Sequence, residues 1–344
     1  MIRKVAVMGT GSLGTILGAY LARGGIDVTL VDADRAHVDA LNASGAHVTG
    51  EIEMTVTVKA CIPEEMDGTF DLFIYLAKQT YNDTAIPQMV SHCHENTIIC
   101  TGQNGIPEYA VAEQWPAALI CGATIGWGAA FVGPGVSKLT AKPGVPTFCM
   151  HLGTLTGEHA PWLEEVQSIL ETMCPVYLTE NLIRDRWSKI LINSTFSGMS
   201  TVVNGTFDDA FGTDHGLECV IRIGREVVRV CHAMQLTLPP IYGADFDRIY
   251  DFDDEAGEAA AKEAVLAFAG GGGGGSGKAS MLQDLQKGRK CEIAYINGIV
   301  AQTGRKVGVE TPYTDAVVRI VEEIQDGKRP LSPANVDDMP HLPV

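Results

Sequence analysis

Residues 4–32 read KVAVMGTGSLGTILGAYLARGGIDVTLVD, and they carry the most informative pattern of the chain. The apolar run 4–8 leads straight into a Gly-x-Gly-x-x-Gly turn at residues 9–14. Apolar residues at helical spacing follow, two glycines end them, and the β-branched run 26–31 comes next. A strand, a glycine turn, a helix and a second strand in this order predict a βαβ unit.

The glycine turn has the spacing that binds a dinucleotide when it joins a strand to a helix. Gly9 permits the tight turn, Gly11 lets a pyrophosphate approach the backbone, and Gly14 lets the helix pack closely on the strand. Free N–H groups at the start of the helix then face the phosphates. The predicted cofactor-binding residues of the turn are Gly9, Thr10, Gly11, Ser12, Leu13 and Gly14. The alternative is a glycine-rich turn without a ligand.

Asp32 follows the second predicted strand and bears on the choice of cofactor. A carboxylate there accepts hydrogen bonds from the ribose hydroxyls of NAD(H). Facing the 2′-phosphate of NADP(H), it would cost about 4 kcal/mol per charge pair at an effective dielectric of about 20 and a separation of about 4 Å. Arg35 lies three residues later and would offset part of this repulsion. The sequence therefore favours NAD(H) and leaves NADP(H) open.

The composition is that of a globular chain with two domains. Of the 344 residues, 46% are hydrophobic, and the formal net charge is −17. This negative charge argues against nucleic acid and anionic membranes as partners. Nine cysteines without a Cys-x-x-Cys pair favour reduced thiols in a cytoplasmic protein. We expect neither a signal peptide nor a membrane-spanning helix, because no apolar run approaches about 20 residues.

The chain separates into two patterns near residue 180. Before it, short apolar runs alternate with segments of helical length, which predicts a parallel sheet with helices on both faces. The runs are Leu72–Leu76, Thr97–Cys100 and Ala118–Cys121, followed by meandering strands within 131–150 and a helix–strand pair within Trp162–Leu178. After it, apolar residues recur at helical spacing in 183–200, 216–234, 257–268, 280–301 and 311–324. The predicted fold class is an α/β Rossmann domain, residues 1–180, plus a mostly α-helical domain, residues 181–344.

A glycine-rich segment, residues 270–277, interrupts the helical pattern. Consecutive glycines hold neither a helix nor a strand, because ordering their backbone costs too much entropy. We expect a loop between two helices. A mobile lid is the alternative, since the segment ends shortly before Ser280.

Several segments resemble the ketopantoate reductase (2-dehydropantoate 2-reductase) family. Beside the glycine turn, they are AKQTYNDTAIP at 77–87, QNGIPE at 103–108, RWSKILIN at 186–193, ASMLQDLQKGRKCEIAYING at 279–298 and GVETPYTDAVVRIV at 308–321. They follow the family's order along most of the chain. The resemblance implies a Rossmann domain joined to a helical domain of the 6-phosphogluconate dehydrogenase type, with the active site in the cleft between them.

The resemblance also implies roles for single residues. Lys189 matches a catalytic lysine that donates a proton to the substrate carbonyl, and Glu292 matches an acid that hydrogen-bonds the reacting oxygen. The residues that match substrate- or cofactor-binding positions are Asn193, Ser280, Asn104 near the nicotinamide, and Lys78 near the cofactor. Ser197 stands where better-known members carry a second substrate-binding asparagine, and FSGMST replaces a motif close to NPLTA. Asp32 is likewise atypical of the NADPH-using members, so the substrate and the cofactor are left open.

The same residues also allow structural interpretations. Lys189, Asn193 and Ser197 are spaced by four, so on one helix they line one face, as either a catalytic stripe or a solvent-facing one. Ser280 and Gln283 have the spacing of a capping box, in which the serine caps the next helix. Glu292 is either a buried helix residue, where a carboxylate needs a partner and Lys189 is the expected one, or a surface glutamate.

Together with the resemblance, these residues predict an oxidoreductase that reduces a 2-oxo acid to a 2-hydroxy acid with NAD(P)H, ketopantoate to pantoate. A related NAD-dependent dehydrogenase of another hydroxy acid is the nearest alternative. A non-catalytic dinucleotide sensor is the alternative from another class, and the presence of both Lys189 and Glu292 argues against it. The predicted partner is a small 2-oxo or 2-hydroxy acid, and a homodimer is left open. No metal site is predicted, since His92, Cys93 and His94 are adjacent and lack a second ligand pair.

Overall fold

The computed structural model of the chain describes residues 1–241, 243–269 and 277–343. The chain divides into two compact units, Met1–Ile183 and Arg184–Val344. An α/β unit followed by a mostly helical one confirms the predicted fold class.

The predicted loop or lid at 270–277 lies outside the described residues, apart from Gly277. Within the described ranges, no helix combines the length and apolar character that crossing a membrane requires. The nine cysteines are free thiols.

The amino-terminal unit alternates strands and helices along most of its length. Its strands are β1 (Lys4–Met8), β2 (Asp27–Val31), β3 (Ala46–Gly50), β4 (Met54–Val56), β5 (Lys59–Cys61), β6 (Phe70–Tyr75), β7 (Cys93–Thr101), β8 (Ile120–Ile125), β9 (Ala129–Gly133), β10 (Val136–Leu139), β11 (Met150–Thr154) and β12 (Val176–Leu178). Its helices are α1 (Ser12–Arg23), α2 (Arg35–Ser44), α3 (Asn82–Val90), α4 (Glu108–Ala112) and α5 (Leu163–Leu170), with 3-10 turns at Pro63–Glu65, Gln79–Tyr81 and Ala117–Leu119.

Eight strands form the main sheet, in the order β12-β11-β8-β7-β6-β1-β2-β5. The pairs from β8 to β5 are parallel, as predicted. The predicted parallel pairing is interrupted at one place, where β11 pairs antiparallel with β8. Parallel neighbours need a long crossover, usually a helix, whereas the chain between β8 and β11 runs through the strands β9 and β10.

A second sheet of four strands, in the order β4-β3-β10-β9, was not predicted. It packs on α1, whose other side packs on the main sheet. As a result, α1 is buried continuously from Gly14 to Leu21. A helix between two sheets has no solvent face along this stretch, which is why its sequence is apolar on every side.

The strands at the centre of the main sheet end at the same level. Met8 is in register with Val31 of β2 and with Tyr75 of β6, and Tyr75 is in register with Thr101 of β7. The segments that follow these four strands therefore meet at one edge of the sheet. In open α/β sheets this carboxyl edge, where the strand order reverses, is where ligands bind.

The carboxyl-terminal unit is built from helices. They are α6 (Leu182–Ile192), a π-helical turn (Asn193–Ser197), α7 (Gly198–Val202), α8 (Asp214–Ala233), α9 (Phe246–Ile249), α10 (Glu255–Phe268), α11 (Ser280–Gln286), α12 (Asn297–Val307) and α13 (Pro312–Gln325), with 3-10 turns at Asp208–Phe211, Ile293–Tyr295 and Pro333–Asp338. The expectation of helical structure throughout 280–301 is wrong, because α11 ends at Gln286 and α12 begins at Asn297. Gly288, with a φ of +65°, takes the chain out of α11 in a left-handed conformation.

Glu226 of α8 holds the start of α13 in the core of this unit. Its two carboxylate oxygens accept hydrogen bonds from the amides of Tyr313 and Thr314, at 2.8 Å each. These are first-turn amides, which have no partner within their own helix. Burial raises the pKa of Glu226 to about 7, and the hydrogen bonds from α13 oppose this only in part.

The pH dependence of folding should report on Glu226. A carboxyl whose pKa is raised on folding contributes stability below its unfolded value, 4.5, and loses it as the pH rises through about 7. The shift corresponds to about 3 kcal/mol. Between about pH 5 and pH 8, the free energy of unfolding of the wild type should therefore fall relative to that of Glu226→Gln, as measured by urea denaturation.

Glu322→Gln is the matched control, because Glu322 is an exposed carboxylate on α13. Its difference from the wild type should not follow this pH course. A difference between wild type and Glu226→Gln that stays constant with pH would contradict the assignment.

Candidate functional site

The residues predicted to bind the cofactor lie together at the carboxyl edge of the main sheet. Gly9 follows β1 and Asp32 follows β2, while Lys78 and Asn104 lie just after β6 and β7. The Met8 carbonyl accepts hydrogen bonds from the amides of Leu76 and Ala77, at 2.8 and 3.0 Å, which hold the loop after β6 against the glycine turn. The arrangement forms a single edge on which an extended ligand can lie.

The three glycines of the turn have the geometry that their predicted roles require. Gly9 has a φ of +91°, and a Cβ there would collide with the backbone of Ala77. A Cβ at Gly14 would collide with the Gly9 carbonyl, so this glycine brings α1 close to β1. Gly11 has open space around its Cβ position. It is the N-cap residue of α1, and no side chain caps the helix there. The first amides of the helix can therefore donate hydrogen bonds to phosphate oxygens.

The acidic residues after β2 are organised by local hydrogen bonds. Asp32 accepts one from the Asp34 amide at 3.0 Å, and the Thr10 hydroxyl lies 3.4 Å from its other oxygen. Asp34 caps α2 by accepting from the amides of Ala36 and His37. The start of α2 is thereby occupied by a carboxylate of the chain itself.

Arg35, expected to offset the charge of Asp32, is engaged elsewhere. Its guanidinium donates two hydrogen bonds to Glu65, at 2.6 and 3.1 Å. This contact raises the pKa of Arg35 and lowers the pKa of Glu65. The sequence pointed to Arg35 but not to Glu65, which lies in the 3-10 turn after β5.

His37 is a supporting residue of the site that the sequence did not reveal. The buried imidazole accepts a hydrogen bond from the Gly135 amide at Nδ1, at 2.9 Å. Nε2 therefore carries the proton, and it donates to the Thr10 carbonyl at 2.7 Å. The Thr15 hydroxyl donates to the same carbonyl at 2.6 Å. His37 thus joins the glycine turn to the second sheet.

Two buried glutamines fix the loops that carry Lys78 and Asn104. The Gln79 side chain donates to the Asn104 carbonyl at 2.5 Å, and the Gln103 side chain donates to the Ala77 carbonyl at 2.8 Å. Lys78 and Asn104 themselves are half-buried. The signal for the glutamines was available, since each one adjoins a predicted residue.

In the carboxyl-terminal unit, Lys189 lies half-buried on α6. Burial and the charge of Arg186 lower the pKa of its ammonium, and Glu292 opposes them, so that the pKa is about 8. Glu292 is therefore close enough for its charge to act on Lys189. Arg186 is 1% exposed and precedes Lys189 by one turn of α6, and the sequence did not single it out.

Glu292 is buried, as expected, but its predicted place on a helix is wrong. It lies immediately before the 3-10 turn Ile293–Tyr295, and its carbonyl accepts from the Tyr295 amide at 3.0 Å. The segment is tied to the π-helical turn that follows α6 by Asn297, which is buried and donates to the Ser194 carbonyl at 3.1 Å. This hydrogen bond explains how a non-helical residue is held near Lys189.

Asn193 and Ser197 mark the two ends of the π-helical turn, so the predicted regular helical face is wrong beyond Ile192. The Gly198 amide bonds to the Asn193 carbonyl, five residues back. Such a turn widens the helix locally and is frequent at functional sites. Both side chains are half-buried.

Ser280 does not cap α11. Ala279 stands at the cap without a side-chain hydrogen bond, and Ser280 is the exposed first residue of the helix. The Gln283 side chain donates to the Lys278 carbonyl at 3.0 Å instead of reaching the backbone of Ser280. The predicted capping box is therefore wrong, and a substrate-binding role of the free hydroxyl stays a prediction.

Comparisons with known proteins cover both units. The family model described as Ketopantoate reductase PanE/ApbA matches residues 5–148, and that described as Ketopantoate reductase PanE/ApbA C terminal matches residues 181–325. The 2-dehydropantoate 2-reductase of Pyrococcus abyssi is 26% identical over 314 residues, which cover 90% of this chain and 93% of the relative.

Two solved structures share the fold over nearly the whole chain. A PanE/ApbA family ketopantoate reductase from Ralstonia eutropha JMP134 is 21% identical with a TM-score of 0.79, covering 94% of this chain and 99% of its own. D-mandelate dehydrogenase, in its ternary structure with NADH and anilino(oxo)acetate, is 22% identical with a TM-score of 0.78 and the same coverage.

Replacing His37 with Ala should weaken binding of the predicted cofactor NADH. The Thr10 carbonyl and the Gly135 amide would each lose a buried partner, and the glycine turn would no longer be held in place. We expect the dissociation constant to rise about tenfold, equivalent to about 1.4 kcal/mol, in a fluorescence titration. His159→Ala, at an exposed histidine of the same unit, is the control. Equal affinities of the two variants would remove His37 from this role.

Proposed function

Since the chain belongs to the ketopantoate reductase family, we propose that it reduces ketopantoate to pantoate with NADH. It is an oxidoreductase of the 2-dehydropantoate 2-reductase type. The observation that carries the proposal is the half-buried Lys189, whose ammonium has a pKa of about 8 and lies within the electrostatic influence of the buried carboxylate of Glu292. A proton donor for a ketone needs such a poised pKa and a fixed place.

The reaction requires a hydride on the carbonyl carbon and a proton on the oxygen. A bound reduced nicotinamide supplies the hydride. The Lys189 ammonium hydrogen-bonds the ketone oxygen, stabilises the negative charge that grows there, and donates its proton from Nζ. The Glu292 carboxylate keeps the lysine protonated in the ground state and accepts a hydrogen bond from the new hydroxyl. Asn193, Ser197 and Ser280 are the proposed substrate-binding residues.

The dinucleotide would be held by the carboxyl edge of the main sheet. Its pyrophosphate fits the open space at Gly11 and the uncapped amides that begin α1. Lys78 and Asn104 are the proposed contacts toward the nicotinamide. The residues present at this edge thus suit the cofactor.

We further propose a preference for NADH over NADPH. Asp32 lies where the ribose hydroxyls bind in this class of fold. The cation that would attract a 2′-phosphate, Arg35, donates both of its hydrogen bonds to Glu65, and Asp34 occupies the start of α2. A 2′-phosphate would meet three carboxylates and an arginine already paired.

The rate of reduction should depend on the ionisation of Lys189. Because the protonated form is the donor, kcat/KM should be constant near pH 7 and fall as the pH rises through about 8. Glu292→Gln removes the charge that raises this pKa, so the falling limb should move to lower pH. Both profiles are measured from the absorbance of NADH with ketopantoate as substrate.

Lys189→Met should lower kcat by about 10²–10⁴-fold. Lys306→Met, at an exposed lysine of α12, is the matched control and should leave the rate unchanged. The assignment of the proton donor would be wrong if Glu292→Gln did not shift the pH at which kcat/KM falls, or if Lys189→Met kept most of the activity.

Cofactor selectivity should change when the acidic residues are neutralised. Asp32→Asn should raise the ratio of kcat/KM for NADPH to that for NADH about tenfold, since it removes a like charge from the 2′-phosphate. Glu65→Gln frees Arg35 and should raise the same ratio about threefold, as expected for an exposed pair. Asp27→Asn disrupts the exposed Asp27–Lys59 pair nearby and is the control. An unchanged ratio in both test variants would contradict the proposed preference.

A related 2-oxo acid is the second candidate substrate. Ser197 has a shorter side chain than the asparagine of the better-known members, which leaves room for a larger substituent. A panel of 2-oxo acids that includes ketopantoate and the phenyl-substituted 2-oxo acid corresponding to mandelate separates the two. Turnover of the aromatic acid alone would favour the second candidate, and NADH binding without any turnover would favour a sensor.

A further inference from the structure

Two histidines and a glutamate form a compact cluster that the proposed reduction does not use. His215 and Glu218 are three residues apart on α8 and so share one face of that helix. His341, from the segment 340–343, stacks on His215 with ring centroids 3.7 Å apart and planes at 13°. One ligand atom from each of the three side chains lies within 4.8 Å of the other two.

The cluster is held in place by hydrogen bonds around it. The Tyr313 hydroxyl donates to one oxygen of Glu218 at 3.3 Å and accepts from the Leu342 amide at 3.1 Å. Arg222 donates to the Pro343 carbonyl at 3.0 Å. The second oxygen of Glu218 faces Nδ1 of His215 at 3.5 Å. Tyr313 therefore positions both the carboxylate and the chain next to His341.

We propose that His215, Glu218 and His341 bind a divalent transition-metal ion, with Zn²⁺ as the best match. Two imidazoles and one carboxylate are a recurrent zinc ligand set, with a water molecule in the fourth position. Imidazole also suits Cu²⁺ and Ni²⁺, whereas Ca²⁺ requires six to eight oxygen ligands. A hydrogen bond to the ligating carboxylate, as Tyr313 supplies, is the usual support of such a site.

The surroundings allow an ion to enter and to keep a solvent ligand. His341 is exposed, and His215 and Glu218 are half-buried. A surface cavity of about 340 Å³ borders Glu218, and its other charged lining residues are the carboxylates Glu255 and Glu258 and the cations Arg222 and Lys262. Zn–N distances are about 2.0–2.1 Å, so the ligand atoms must draw closer together than they are now. Each ring must also turn out of the parallel stack to aim its lone pair at the ion. Binding thus changes the environment of both imidazoles and ties the segment 340–343 to α8.

Titration of the full-length, chelator-treated protein with ZnCl₂ in a calorimeter tests the proposal. We expect one saturable Zn²⁺ per chain. His215→Ala and His341→Ala should each raise the dissociation constant at least tenfold, because removing a ligand costs no less than removing its support, which costs about 10–100-fold. Glu218→Gln should also weaken binding, although the amide keeps the size of the side chain and an acceptor for Tyr313.

His159→Ala is the control, since His159 lies beside a carboxylate, Glu164, at 3.3 Å but has no place in the cluster. Its affinity for Zn²⁺ should equal that of the wild type. In NMR spectra, the imidazole resonances of His215 and His341 should shift with Zn²⁺ while those of His159 do not. Absence of binding to the wild type, or binding to both histidine variants with the affinity of the wild type, would identify the cluster as a metal-free stacked pair. Neither result depends on reductase activity.

Discussion

The Met8 carbonyl is the point from which the amino-terminal unit is organised. It accepts hydrogen bonds from the amides of Leu76 and Ala77, and the amide of the next residue, Gly9, donates to the Val31 carbonyl at 2.8 Å. Three neighbouring strands are thereby fixed within one residue of the glycine turn. A side chain at Gly9 would strike Ala77, so the contact requires glycine there. All the proposed dinucleotide contacts follow from the level at which these strands end.

The carboxyl-terminal unit carries charged side chains at buried and half-buried positions among its helices. Lys189, Arg186 and Glu292 are charged groups at half-buried or buried positions, and burying a charge is costly unless it has a partner. Opposite charges at Lys189 and Glu292 reduce this cost, while burial and, to a smaller extent, Arg186 lower the pKa of the lysine. The π-helical turn and Asn297 hold the two chain segments in register. The same arrangement that stabilises the core thus produces a weakly held proton.

Much of this fold could be predicted because its signals are local. The glycine turn, the strands beside it and the long helices are all specified by neighbouring residues. The second sheet was missed, since β3 and β10 pair across a long stretch of chain. Glu292 was misplaced because α11 and α12 are two helices separated by a segment without α-helix, which apolar spacing does not show. Ser280 was misplaced by one residue, because Ala279 occupies the cap position of α11.

The sequence predicted the proposed catalytic and cofactor-binding residues better than the residues that hold them in place. Lys189, Glu292 and the glycines came from motifs and from the family resemblance. His37 and Glu65 act through contacts with residues far along the chain, and Arg186 acts on Lys189, one helical turn away. No sequence motif assigned a role to any of the three. Supporting residues are selected by tertiary geometry, so they become visible only when the chain is folded.

The Arg35–Glu65 pair sits on the surface, with the two side chains 51% and 48% exposed. Exposed pairs contribute little to folding, and surface substitutions are usually tolerated. The proposed influence of these two positions on the choice between NADH and NADPH could therefore be changed by substitution without repacking any buried layer. The proposed cofactor preference and the stability of the buried core thus depend on different residues.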